Sequence, residues 1–292
     1  MARRVAPEEM YPAGVPGVAA RFVTTRAGLR VRVTETGCPA GRPVVCIHGW
    51  GGSAYLFRKN LPALADAGFH AIAPDLPGHG SSDKPLDPAA YTLPALGAYV
   101  VEILDALGLP RVALMGQSMG GAVAAEVALR WPERVEKLVL LAPVGYGRIG
   151  AVAAVRALAP AVIAPLLPRF TMPWMFSLVL RGVYGTLGAP TSRDVAEYFA
   201  PTADPRYIRA LHSLIRNLDW SPDDGGRMRG LRMPCLVVFG SADPIIPQGA
   251  LERYRRDAPS VRTVEIPGGG HLINEEAPDA VNAAILEFLK AS

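Results

Sequence analysis

The 292-residue sequence predicts an α/β fold: a mostly parallel central sheet covered by helices on both faces, with a helical segment inserted late in the chain. Three observations predict it. Short, largely apolar runs at 43–47, 70–73, 111–115 and 135–141 read as buried strands, and the sheet resumes at 235–239 and again at 261–266. Stretches with helical spacing separate many of them, the arrangement that parallel crossovers require. Between 143 and 233 the pattern changes to helical pieces broken by Pro160, Pro165, Pro168, Pro173, Pro190, Pro201 and Pro205, with aromatic residues concentrated among them. The expected division is therefore a core of 1–142 and 234–292 and a helical cap of 143–233.

Taken in order, residues 1–19 read as a loose, proline-rich arm. Residues 21–25 and 29–35 alternate apolar and polar around Ala27-Gly28, a hairpin of half-exposed strands. The buried strand 43–47 runs into His48-Gly49-Trp50-Gly51-Gly52, and 56–67 has helical spacing. The strand 70–73 leads into Pro74-Asp75-Leu76-Pro77-Gly78-His79-Gly80-Ser81-Ser82. Residues 93–107 form an amphipathic helix stopped by Gly108. The strand 111–115 meets Gly116-Gln117-Ser118-Met119-Gly120, and an alanine-rich helix follows over 121–130. After the cap the sheet resumes at 235–239 and 261–266, and 280–289 is a closing helix.

The pentapeptide around Ser118 carries the chemistry. A serine on a tight strand-to-helix turn is held in a strained conformation that lifts its hydroxyl clear of the backbone, and the flanking glycines permit the turn. The helix N-terminus behind it offers free N–H groups and a positive dipole end to a developing oxyanion. A hydroxyl needs a base. Of the five histidines, only His271, in Pro267-Gly268-Gly269-Gly270-His271-Leu272, lies beyond the last strand. His48 and His79 sit in turn motifs and are expected to be structural, and His70 and His212 to be packing or surface residues. The base needs an acid to fix its tautomer. Asp243, in Gly240-Ser241-Ala242-Asp243-Pro244 directly after a strand, fits that role, with Asp219, Asp223 and Asp224 in reserve; Asp75 reads as a structural turn residue. The expected oxyanion donors are the N–H groups of Met119 and Trp50, with the Trp50 ring walling the acyl pocket. Trp174, Phe176, Tyr198 and Phe199 are expected in part to line an apolar substrate pocket.

Composition narrows the alternatives. The formal net charge is only +4 and the basic residues are scattered, so no nucleic-acid surface is indicated. Three cysteines form neither a disulfide framework nor a metal pattern: Cys46 and Cys235 lie in strands and Cys38 in a loop. No apolar leader follows Arg3 and Arg4, and the most apolar stretch, 149–167, is interrupted by Arg156, Pro160 and Pro165. A cytoplasmic protein with no membrane span, no metal and no organic cofactor is expected, its partner a small-molecule ester. Its oligomeric state is not encoded in any feature of the sequence.

In these motifs, from about position 21 to the C-terminus, the chain resembles the capped serine hydrolases of the α/β-hydrolase superfamily. The order Ser118, Asp243, His271 is that family's order. The resemblance implies hydrolysis through an acyl-enzyme on Ser118. Haloalkane dehalogenases and epoxide hydrolases are similar but carry Asp where Ser118 stands. Proline iminopeptidases usually have Trp after the serine, where this chain has Met119. Meta-cleavage carbon–carbon hydrolases share the Ser-Met-Gly-Gly elbow, yet commonly have Trp after the histidine and Gly-Pro in the oxyanion loop, where this chain has Leu272 and Gly51-Gly52. Cofactor-free haloperoxidases and perhydrolases share the elbow and an aromatic oxyanion residue. A carboxylic-ester hydrolase is the first reading. A carbon–carbon hydrolase, a perhydrolase or lactonase, and a receptor that kept the fold for recognition are the alternatives.

Overall fold

The structure is a computed structural model, and it describes residues 9–158, 166–247, 249–258 and 261–291. The first eight residues, with Pro160 and Pro165 of the expected cap, lie outside the described residues. Eight strands form one sheet in the order β1-β2-β4-β3-β5-β6-β7-β8. β1 (Val18–Thr24) and β2 (Arg30–Thr36) make an antiparallel hairpin, and β2 pairs antiparallel with β4 (Phe69–Pro74). Every further pairing, among β4, β3 (Arg42–Ile47), β5 (Val112–Gln117), β6 (Val135–Leu141), β7 (Cys235–Gly240) and β8 (Arg262–Ile266), is parallel.

Successive side chains of a strand point to opposite faces, so each apolar strand feeds two cores. Val45, Ile47, Leu114, Leu138 and Val237 pack with α2 (Leu93–Ala106) and α3 (Met119–Arg130). Val44, Cys46, Met115, Val139 and Val238 pack on the other side with α1 (Leu61–Asp66) and α11 (Pro278–Lys290). Between β6 and β7 run α4 (Gly150–Leu158), α5 (Leu167–Phe170), α6 (Pro173–Val183), α7 (Ser192–Phe199) and α8 (Pro205–Asn217). A capping box between Thr191 and Asp194 opens α7, and Asp204 with Pro205 opens α8. α8 sinks Tyr207, Leu211, Leu214 and Ile215 into the first core.

Two expectations are corrected. The arm is not loose over its described part: Met10 and Tyr11 are buried, the Tyr11 N–H donates to Glu197, and Arg32 donates to the Tyr11 carbonyl. The single helix expected over 56–67 is a short turn at Ala54–Phe57 followed by α1, because Pro62 has no N–H and suits only a first turn. A further pair, α9 (Ala250–Asp257) and α10 (Ile273–Glu276), was not foreseen. α9 is mostly charged and buries only Ala250, Tyr254 and Asp257, so it lacks the apolar stripe that marks a helix in sequence. No helix among the described residues is long and apolar enough to cross a membrane.

Candidate active site

Ser118 stands between β5 and α3 with φ 54° and ψ −120°, in the left-handed region that costs a non-glycine residue strain. The surroundings hold it there. Its N–H donates to Leu141 O (2.9 Å), and its carbonyl accepts from Gly121 N (2.9 Å) and Val144 N (3.1 Å), tying the turn to the end of β6. A Cβ on Gly120 would come within 2.1 Å of the Ile47 carbonyl, so the end of β3 admits no side chain there. A Cβ on Gly49 would fall 2.5 Å from Gln117 Oε1 and 3.1 Å from Ser118 Cβ. The loop after β3 thus reaches the turn only because Gly49 is bare. Met119 begins α3, and an N–H in a first turn has no acceptor within its own helix.

The structure brings Ser118, His271 and Asp243 together. His271 Nε2 lies 2.7 Å from Ser118 Oγ, and His271 Nδ1 lies 2.9 Å from Asp243 Oδ2. An ionised carboxylate only accepts, so Nδ1 carries the proton and Nε2 is left to accept from the serine hydroxyl. The other Asp243 oxygen, Oδ1, accepts from the N–H groups of Ile245 (2.7 Å) and Ile246 (3.0 Å). Ser118 and His271 are both buried, 7% and 6% exposed.

The histidine loop is clamped by contacts that the sequence did not foretell. The His271 N–H donates to Val183 O at the end of α6 (2.8 Å), and its carbonyl accepts from Gln117 Nε2 (2.9 Å). Glu276 accepts from Gly185 N (2.8 Å) and Gly270 N (3.1 Å). Burial pushes the Glu276 carboxyl up against those two N–H groups, and the Asp243 charge adds to the rise. One residue earlier, Glu275 receives Tyr184 Oη (2.7 Å), Tyr198 Oη (2.7 Å) and Arg58 Nη1 (2.8 Å). Arg58 also reaches Asp194 (2.6 Å), to which Tyr55 donates (2.7 Å). Burial pushes Asp194 upward, but the bonds from Thr191 and Tyr55 and the Arg58 charge outweigh it and hold the carboxyl low. The one sequence cue to this network was the Glu275-Glu276 pair close behind His271.

Trp50 is half-buried, and its indole N–H donates to Leu211 O of α8 (3.0 Å), while Tyr207 Oη donates to Gly51 O (2.8 Å). α8 therefore fixes the loop that carries Trp50. Phe176 meets Phe199 edge-on, ring centroids 5.4 Å apart, and Phe199 is buried. Tyr198 is committed to Glu275 and stands edge-on to Tyr55. Trp174 differs from these three: it is 62% exposed. Its helix packs by Phe176, Leu180 and Val183, which leaves position 174 on the outer face.

His48 accepts from Leu76 N through Nε2 (2.9 Å) and donates Nδ1–H to Gly49 O (2.8 Å). Burial lowers its pKa and that of His79, which its His48 neighbour lowers further, so both rings stay neutral. Asp75 accepts from Ala54 N (2.8 Å) and Ser81 N (2.9 Å), ordering the turn after β4. Asp223 is occupied by Arg227 (2.7 Å) and Tyr254 (3.0 Å). Among the described residues no three His, Cys, Asp or Glu side chains are grouped to hold a metal ion.

A family model described as the alpha/beta hydrolase fold matches residues 42–205 and 203–278. The uncharacterized hydrolase YugF of Bacillus subtilis is 29% identical over 86% of this chain and 91% of its own length. A 2-hydroxy-6-oxononadienedioate/2-hydroxy-6-oxononatrienedioate hydrolase of Paraburkholderia phymatum is 31% identical over 89% of this chain and 91% of its own. Among solved structures, epoxide hydrolase A from Mycobacterium thermoresistibile superposes with a TM-score of 0.77 at 27% identity, over 94% of this chain and 98% of its own. Sheet order, strained serine turn and family match agree: the chain belongs to the alpha/beta hydrolase fold family.

Proposed function

We propose that this chain is a serine hydrolase of small to medium, uncharged carboxylic esters, with Ser118 as nucleophile, His271 as general base and Asp243 as its orienting acid. The unbroken run of hydrogen bonds from Ser118 Oγ through His271 to Asp243 carries this reading. Ser118 attacks the ester carbonyl as its proton passes to His271 Nε2, and Asp243 stabilises the imidazolium. The N–H groups of Met119 and Trp50 take the oxyanion. His271 then protonates the departing alcohol, and water, activated by the same ring, releases the acid from Ser118. No cofactor enters these steps. Residues 143–233 act as the cap, with Phe176 and Phe199 on its inner side. The location is cytoplasmic, in keeping with three free thiols of which two are buried.

The second reading is the carbon–carbon hydrolase, favoured by the Paraburkholderia relative, whose named substrate is a dioate. An anionic substrate needs a cationic partner in the pocket, since an unpaired buried carboxylate is costly. No arginine between β6 and β7 is both buried and free of a carboxylate partner. Arg148, Arg156, Arg169, Arg181, Arg193, Arg206, Arg209, Arg216, Arg229 and Arg232 are all exposed, and Arg227 is taken by Asp223 and Glu126. An epoxide reading meets serine at 118. The test is a panel of neutral p-nitrophenyl esters, a p-nitrophenyl hemisuccinate and a carboxylated dienone, run on the protein and on Ser118→Ala. Neutral esters turn over fastest, and Ser118→Ala loses at least about 10³-fold together with fluorophosphonate labelling. Faster turnover of the dienone than of any ester would overturn the substrate class; labelling that persists in Ser118→Ala would overturn the nucleophile.

A further inference from the structure

Of the twelve large hydrophobic side chains exposed among the described residues, ten lie between positions 155 and 187. They are not scattered. On α6, Trp174, Met175, Leu178 and Val179 are exposed while Phe176, Leu180 and Val183 turn inward, so the outward side is one continuous apolar face. Phe170 and Met172, also exposed, extend it at the start of the helix. Soluble monomers rarely leave such a contiguous surface uncovered unless something docks there.

Charge says what docks. From 138 to 193 the sequence holds five arginines and no aspartate or glutamate. Arg169 lies beside Phe170, and Arg181 follows Trp174 by seven residues and Leu178 by three, on the same side of α6. Both are exposed, and neither makes an ion pair among the described residues. An apolar face with a tryptophan, a phenylalanine and unpaired cations matches the boundary of an anionic bilayer, where aromatic rings sit at headgroup level and basic side chains meet lipid phosphates. A second copy of this chain would bring the same positive charges against its own.

We infer that the outer face of α5 and α6 is a docking surface for anionic lipid bilayers. The surface adjoins the chemistry: α6 ends at Val183, whose carbonyl receives the His271 N–H, and Gly185 packs against the His271 loop. The chain bound there would keep its core in water and its histidine loop near the lipid. This inference does not rest on the substrate assigned above.

The test is co-sedimentation of the full chain with phosphatidylcholine vesicles, with and without phosphatidylglycerol, at low and high salt. The protein binds the anionic vesicles, and high salt releases it. Arg169→Gln and Arg181→Gln each weaken binding to the anionic vesicles about fivefold. Leu178→Ser weakens it by at least about fivefold by removing apolar burial. All three side chains are exposed, so each variant keeps the melting temperature of the parent protein, checked by circular dichroism. Failure of the folded protein to bind, equal binding to neutral vesicles, or binding indifferent to Leu178→Ser would overturn the inference. So would a stable dimer in sedimentation equilibrium that Leu178→Asp dissociates, which would assign the face to self-association.

Discussion

Replacing Asp243 by Asn tests the proposed mechanism at its most exposed joint, because both oxygens of Asp243 are in use. Oδ1 receives two backbone N–H groups, from Ile245 and Ile246, and Oδ2 faces His271 Nδ1 at 2.9 Å. An asparagine has one oxygen for these two tasks. Facing its NH2 toward the two N–H groups would lose two hydrogen bonds at roughly 1 kcal/mol each and leave buried donors opposed. The amide oxygen therefore stays with Ile245 and Ile246, and the NH2 points at His271. A donor there forces Nδ1 to give up its proton, which moves to Nε2. Nε2–H then faces Ser118 Oγ across 2.7 Å as a donor, and the serine has no base. A wrong tautomer of this kind costs about 10⁴-fold in turnover. That is about 5 kcal/mol at 1.36 kcal/mol per decade. The assay is steady-state hydrolysis of a neutral p-nitrophenyl ester with the fluorophosphonate labelling rate alongside. Thermal unfolding should show a folded variant, since the backbone contacts are kept. A folded Asp243→Asn protein within about tenfold of the parent rate would refute the tautomer reasoning.

Two further outcomes follow from the charges beneath the insertion. Arg58→Met strands the carboxylates of Glu275 and Asp194 in the interior, and urea unfolding should show a loss of roughly 3–5 kcal/mol, as for a buried pair that loses one partner; a loss under about 1 kcal/mol would mean the pair is solvated. Asp194 has a folded pKa below its ordinary 3.8, so its contribution to stability is complete above that pH and fades as the pH falls through the lower folded value. Melting temperature should accordingly drop on acidification below about pH 4, and Asp194→Asn should flatten that drop while lowering stability at neutral pH; an unchanged acid slope in the variant would contradict the assignment.

Much of this was legible in the sequence, for identifiable reasons. Strands such as β4, β5 and β7 are short runs apolar on both faces, the pattern of strands covered on both sides. Gly120 and Gly49 mark places where two backbones meet, and a glycine cluster before His271 marks a loop. The same local cues do not reach across distance. Arg58 finds Asp194 and Glu275 at separations of 136 and 217 residues, and nothing near any one of them names the others. Gln117 sits inside the serine motif, yet its hold on the His271 carbonyl depends on where a loop 154 residues later returns. Trp174 shows the opposite failure. Apolar composition suggested a pocket, but a short helix that is apolar on nearly every side does not say which side is covered until its neighbours are placed.

The bond from the His271 N–H to the Val183 carbonyl bears on how such proteins can be recombined. An inserted segment is commonly treated as an exchangeable module that alters what reaches the pocket and leaves the chemistry alone. Here the segment between β6 and β7 lends a backbone acceptor to His271, the proposed base, and Gly185 lends a donor to Glu276 beside it. A chimera that grafts a foreign segment between β6 and β7 must therefore deliver a carbonyl and an N–H to these two points. One that matches only length and hydrophobicity would leave the imidazole without its mooring, and its selectivity and its rate would change together.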